Sequence, residues 1–282
     1  MPPRKSLVLG LISLVSWIAA AGVGYHAWQN LSAGAAGGPP KTAVVVHAPP
    51  TPAPSEAPTP TPAPTPLPTS LRIQGVPFTI QSPFQIWDTA HQEYCEAAAV
   101  YMVGQYWNND HRQNLPKAEA DAAMGRIVAW ERATFPGVMN LPLSDMVQVA
   151  QHFYPGLNLS AQEVPVDFGV IQQNLAAGRP VIIPVMTHGG PGGSAIYPTY
   201  AAGSVYHVIV LIGYDAAQGL VYTNDSGLRE GLGLAYHWPT LLTAIQTQAR
   251  TTVDVWGHQV PHQQGMTMLT FQPAAPPPSP AA

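Results

Sequence analysis

Residues 207–227 read HVIVLIGYDAAQGLVYTNDSG. A β-branched apolar run, a short polar break and a second run ending in Asn-Asp-Ser-Gly make the pattern of two antiparallel strands joined by a tight connection. If residues 215–218 form the turn, Tyr214 pairs with Gly219 and His207 falls opposite Ser226. A loop one residue longer or shorter moves the partner by one position. Asp225 then stands within about one position of His207, at a cross-strand distance of roughly 5 Å. One end of one hairpin brings an imidazole to a carboxylate. That pairing serves a buried structural contact as readily as a reacting one.

The elements around the hairpin follow from periodicity and punctuation. LRIQGVPFTIQ (71–81) reads as a strand leading into a loop, and PVIIPVM (180–186) as a buried strand. Helical patterns cover CEAAAVYMVGQYW (95–107), KAEADAAMGRIVAWERA (117–133), LSDMVQVAQHFY (143–154), DFGVIQQNLAAG (167–178) and WPTLLTAIQTQ (238–248). Ser144 or Asp145 is positioned to cap the third of these, and Gly178 to stop the fourth. TTVDVWG (251–257) and MTMLTF (266–271) supply further strands. Helices come first and antiparallel strands later, so the fold class is α+β.

Composition narrows what such a domain does. The chain has 282 residues with 11 Lys+Arg against 15 Asp+Glu, and only 9% of them are charged. It offers no basic stripe for a phosphate backbone, so nucleic acid is not an expected partner. The 32 prolines crowd into APPTPAPSEAPTPTPAPTPLPTS (48–70) and the C-terminal tail. Proline at nearly every second position builds neither helix nor central strand, and favours an extended spacer. Ahead of it, Arg4 and Lys5 precede an uncharged apolar stretch from Leu7 to Val23. This reads as a transmembrane signal-anchor with its amino terminus in the cytoplasm, or alternatively as a cleaved signal peptide. Either places the remainder outside the cell membrane. The expected organisation is an anchor in 1–30, a Pro/Ala/Thr-rich linker in 31–70, a globular domain in 71–272 and a Pro-rich tail in 273–282.

Cys95 is the one cysteine, which rules out an intrachain disulfide framework and a Cys-rich zinc site. It stands at the start of a helical pattern, where free backbone N–H groups and the positive dipole end favour a thiolate. The competing reading is a small buried hydrophobe. A cysteine nucleophile needs a base, and the base needs an orienting group. Among 10 histidines, His207 has a carboxylate within reach through the hairpin. His91 lies four residues before Cys95 but in a loop-like stretch. His258 and His262 are close in sequence without a carboxylate spaced for a metal set. HGGPGG (188–193) reads as a rim loop and lacks a phosphate-binding context. Gln81, Gln85 and Gln92 are side-chain amides upstream of Cys95 that offer donors to an oxyanion. No cofactor or metal is expected.

Taken together, VPFTIQ, a following Trp, YCEAAAVYMV, HVIVLIGYD and VYTNDSG resemble the bacteriocin-processing (double-glycine leader) peptidase-like family of papain-like cysteine peptidases. The likeness spans about residues 73–245. It implies a papain-like α+β fold, with N-terminal helices packed on a C-terminal antiparallel sheet. It implies Cys95 as nucleophile, His207 as general base and Asp225 as orienter. A Val-Pro stretch leads to the oxyanion glutamine in that family, which matches Gln81, with Gln92 as the alternate. Glu96 departs from the glycine that usually follows the cysteine. No transporter domain accompanies the likeness, so the expectation is the stand-alone, exported branch. Its substrate would be a peptide or protein, a cell-wall peptide among them. A non-catalytic wall- or peptide-binding module and a cell-wall peptide amidase or acyl transferase are the other readings.

Overall fold

The computed structural model describes residues 66–200, 203–261 and 266–274. Its centre is the opening hairpin: strand β4, Tyr206–Asp215, and β5, Leu220–Asn224. Asp215 closes the turn by accepting from the Gln218 main chain at 3.0 Å and its side chain at 2.9 Å. Gly219, at φ +64°, supplies the left-handed residue that turns the chain into β5. The loop is therefore residues 216–219, and Tyr214 pairs with Val221, not Gly219. A bulge between Leu211 and Gly213 recovers one position, so that Val210 pairs with Asn224.

Further strands are β1 (Ser70–Arg72), β2 (Leu159–Pro165), β3 (Val181–Met186), β6 (Leu232–His237) and β7 (Thr267–Pro273). The sheet order is β2-β7-β3-β4-β5-β6, with β1 also paired to β4, and every pairing is antiparallel. Helices are α1 (Cys95–Trp107), α2 (Lys117–Thr134), α3 (Leu143–Phe153), α4 (Phe168–Ala176) and α5 (Trp238–Gln248). Alternation along β4 divides the core. Val208, Val210 and Ile212 pack with α1, α2 and α3, whereas Ile209, Leu211 and Tyr214 pack with α4 and α5. With both faces covered, β3 and β4 read as continuous apolar runs. This mixture of helices and antiparallel sheet is the α+β, papain-like class expected from the sequence.

Helix α1 is buried from Cys95 through Gly104. Three consecutive alanines, Ala97–Ala99, let it lie close to its neighbours. A Cβ on Gly104 would fall inside the Tyr154 ring. An almost fully apolar helix with one side chain missing at its tightest contact belongs in the core.

Four expectations require correction. Helix α3 starts after Pro142 without a side-chain cap from Ser144 or Asp145. The fixed φ of proline presets its first turn. Residues 251–257 are a loop: Asp254 accepts from the main chains of Trp256 at 2.9 Å and His258 at 3.0 Å, bending the chain away from a ladder. Strands β2 and β6 arise from stretches whose pattern predicted neither. The domain begins one residue earlier and ends one residue later in strand than expected, at Ser70 and Pro273.

The expected anchor, most of the linker and His262 lie outside the described residues. Among the described residues, no helix is long and apolar enough to cross a membrane.

Candidate active site

The segment 76–82, the end of β5 and the turn before α1 are tied together by buried amides. Asn224 donates to the carbonyls of Val76 at 3.2 Å and Pro77 at 3.0 Å. The Gln81 N–H donates to Ser226 O at 2.9 Å. The Gln81 side-chain amide then donates to the carbonyls of His91 at 2.9 Å and Gln92 at 3.2 Å. Those carbonyls belong to a single 3-10 turn, His91–Glu93, that delivers Cys95 as the first residue of α1. A helix starts there without a side-chain cap, so its first N–H groups have no partners within the helix.

His207 and Asp225 meet as the hairpin implied. His207 Nε2 lies 2.8 Å from Asp225 Oδ1, and both side chains are almost fully buried. The carboxylate also accepts from Tyr200 Oη at 2.8 and 2.9 Å, Tyr236 Oη at 2.6 Å and the Gly227 N–H at 3.0 Å. Burial alone would raise the Asp225 pKa. The His207 charge and the His207, Tyr236 and Tyr200 hydrogen bonds outweigh it, and Asp225 is held below its ordinary value. Gly227 permits this geometry, because a Cβ there would come within 3.0 Å of His207 Nε2.

Cys95 is 3% exposed. Its thiol donates to Glu96 Oε2 at 2.9 Å, while Glu96 Oε1 accepts from the Leu141 N–H at 2.9 Å. Burial, the Glu96 charge, the hydrogen bond to Glu96 and the Glu93 charge all push the thiol well up. A hydrogen bond from the Val208 main chain, next to His207, opposes them. Glu96 is itself raised by burial, against hydrogen bonds from Cys95 and Leu141. Two further buried acids sit nearby. Glu93 is pushed up to about 7 by burial and by the Glu96 and Asp254 charges. Glu131 is pushed up to about 8 by burial and the Glu96 charge.

A cleft of about 450 Å³ opens beside this cluster, lined in part by Gln81, Gln92, Tyr200, His207, Trp87 and Trp256. Cys95 is not among its lining residues. Phe84 and Ile86 stand exposed beside Trp87, and Val253 and Val255 beside Trp256. Both candidate oxyanion amides face the cleft, and both already donate: Gln81 to two carbonyls, and Gln92 to Trp87 O at 3.3 Å. Gln85 also lines the cleft, but its side-chain amide turns back onto Ser82 O at 3.2 Å.

The other histidines have separate partners. His91 spans Asp88 at 2.7 Å and Asp121 at 3.0 Å, which occupies both ring nitrogens. His258 Nδ1 lies 3.3 Å from Glu93 Oε1. Within HGGPGG, Gly189 packs against α5, where a Cβ would meet Ala244 at 2.8 Å, and none of the six residues lines the cleft. Among the described residues, no group of three or more His, Cys, Asp and Glu is arranged to hold a metal ion. Sequence reasoning missed Tyr200 and Tyr236 as partners of Asp225. It registered Glu96 as a departure but not as a buried contact of the thiol. Neither tyrosine stands in a pattern that marks it. The adjacency of Glu96 to Cys95 was the one signal available.

No curated protein matches the chain. The crystal structure of a C39-like peptidase from Bacillus anthracis is similar at 16% identity and a TM-score of 0.43, covering 73% of this chain and 99% of that one. The profile described as the Peptidase_C39 like family matches residues 73–246, which include Cys95, His207 and Asp225. On that match, the chain belongs to the C39-like peptidase family.

Proposed function

We propose that this protein is a thiol hydrolase that cleaves peptide bonds through Cys95, His207 and Asp225. The observation that carries the reading is the buried His207–Asp225 pair at 2.8 Å, one residue before Val208, which packs with Cys95 in the same core cluster. With Nε2–H given to Asp225, Nδ1 is the ring nitrogen left with a lone pair. His207 takes the thiol proton there, and Asp225 holds the tautomer. The thiolate attacks the scissile carbonyl and the imidazolium protonates the leaving amine. Water, activated by the same imidazole, then releases the acyl group. The Cys95 N–H and the Gln81 amide supply the oxyanion donors. Gln81 does so by giving up the longer of its two bonds, the one to Gln92 O at 3.2 Å.

The substrate is an extended peptide with apolar side chains that seat against Trp87 and Trp256. The likeness to the exported branch, together with Arg4, Lys5 and the apolar stretch after them, supports a domain tethered outside a bacterial membrane and accepting protein or cell-wall peptides. Digestion of a mixed peptide library by the purified protein, with Cys95→Ser alongside, tests the activity. Cleavage that disappears in the variant supports the proposal. No cleavage by either protein, with peptides retained in a pull-down, favours the binding-module reading. The buried thiol bonded to Glu96 is the feature that speaks for that second reading.

A further inference from the structure

We propose that Glu96 is a fourth catalytic residue, which acts as the neutral acid and donates a hydrogen bond to the Cys95 thiolate. This rests on the thiol-hydrolase reading and adds a protonation requirement to it. Oε2 is 2.9 Å from Sγ, and Oε1 is fixed by the Leu141 N–H at 2.9 Å, so the carboxyl cannot swing away without leaving a buried N–H unpaired. Two anions at that separation in a buried site repel strongly. The thiolate therefore needs a proton on Glu96.

Every element packed around Glu96 bears on its charge. Cys95 precedes it on α1, and Glu93 lies in the turn before. Glu131 and Arg132 come from α2, and Tyr206 and His207 from β4. Asp254 and His258 act at one remove, through Glu93. Burial favours the protonated acid at Glu96 and outweighs the hydrogen bonds from Cys95 and Leu141 and the His207 charge, which favour the carboxylate.

The protons balance as follows. In the resting pair the thiol donates to the Glu96 carboxylate. Glu96 takes up one proton from solvent. The thiol proton passes to His207, and the Glu96 hydroxyl turns its hydrogen to the sulfur. Attack forms the S–C bond and moves the carbonyl pair to oxygen. His207 gives its proton to the leaving amine, and Glu96 keeps its own throughout.

Because Cys95 is the one cysteine, thiolate absorbance at 240 nm, after subtraction of Cys95→Ser, reports it directly. We expect the wild-type signal to be present near pH 5 and to fall as pH rises and Glu96 ionises. Glu96→Gln keeps an acceptor for Leu141 and a donor for sulfur without titrating. It should retain the signal to pH 8, with about tenfold more thiolate than wild type there. Near-ultraviolet circular dichroism at both pH values checks that the variant is folded. Glu96→Asp, one methylene shorter, serves if the amide variant does not fold. It still titrates but loses the hydrogen-bond reach, so a loss of thiolate at pH 5 supports the role. A wild-type profile that depends on His207 but is unchanged in the folded variant overturns the role of Glu96 alone. An ordinary thiol titration in wild type and His207→Ala alike leaves neither reading standing.

Discussion

Replacing Glu131 by glutamine should stabilise the protein at alkaline pH and leave it nearly unchanged in mild acid. Glu131 is 8% exposed, and its Oε1 has no hydrogen-bond partner. Burial and the Glu96 charge raise its carboxyl from an ordinary 4.5 to about 8. Between those values the folded chain holds a proton that the unfolded chain has released. Its contribution is therefore fully present below about pH 4.5 and is lost as pH rises through 8. About 3.5 pH units at 1.36 kcal/mol each set a ceiling of about 4.8 kcal/mol. Movement of the carboxylate toward water reduces this to about 2–3 kcal/mol. Glutamine has nearly the same volume and never ionises. Urea unfolding at pH 5 and pH 8 would measure the difference. The variant should match wild type within about 0.5 kcal/mol at pH 5 and exceed it by about 2–3 kcal/mol at pH 8. Its remaining slope should be shallower, because Glu96 loses a repelling neighbour. Parallel losses of stability in the two proteins would refute the reasoning.

Other sites give sharper structural tests. Asp225→Ala strips the acceptor from His207, Tyr200, Tyr236 and Gly227, and should cost about 3–5 kcal/mol in a denaturant melt. Asp225→Asn keeps the shape but not the charge. It should fold, and lower peptide cleavage by about a thousandfold at pH 7. Gly104→Ala drives a methyl into the Tyr154 ring and should destabilise by about 1–3 kcal/mol, with Tyr154→Ala in the same chain recovering part of the tight-contact loss. Asn224→Ala frees the carbonyls of Val76 and Pro77 and should cost about 1–3 kcal/mol, with faster amide exchange in residues 76–82.

Where the sequence could be read, it was because one physical period dominated. The opening hairpin combined β-branched runs with a turn, and α1 and α5 matched their expected spans to the residue. The register of that hairpin differs from the expected one because hydrogen bonds from Gln218 to the Asp215 carboxylate and the left-handed Gly219 lengthen the loop, and a bulge then takes back one position. Strand β2 escaped notice because its polar side chains, among them Gln162 and Glu163, lie on an edge paired only to β7. Strand β6 carries Gly233 and pairs only with β5, so its side chains follow no clear alternation. In the site, the His207–Asp225 pair was visible, because one hairpin confines both residues. The tyrosines that hold Asp225, and the turn of Glu96 toward the thiol, depend on packing between elements far apart in sequence. No local pattern encodes that.

The central claim is that His207 activates Cys95. Alkylation of Cys95 by iodoacetamide from about pH 6 to about pH 9, followed by intact-mass spectrometry, measures it in wild type and in His207→Ala. An activated thiol should react about a hundredfold faster in wild type than in the variant. Equal rates in the two proteins, rising with pH as an ordinary thiol does, would contradict the account.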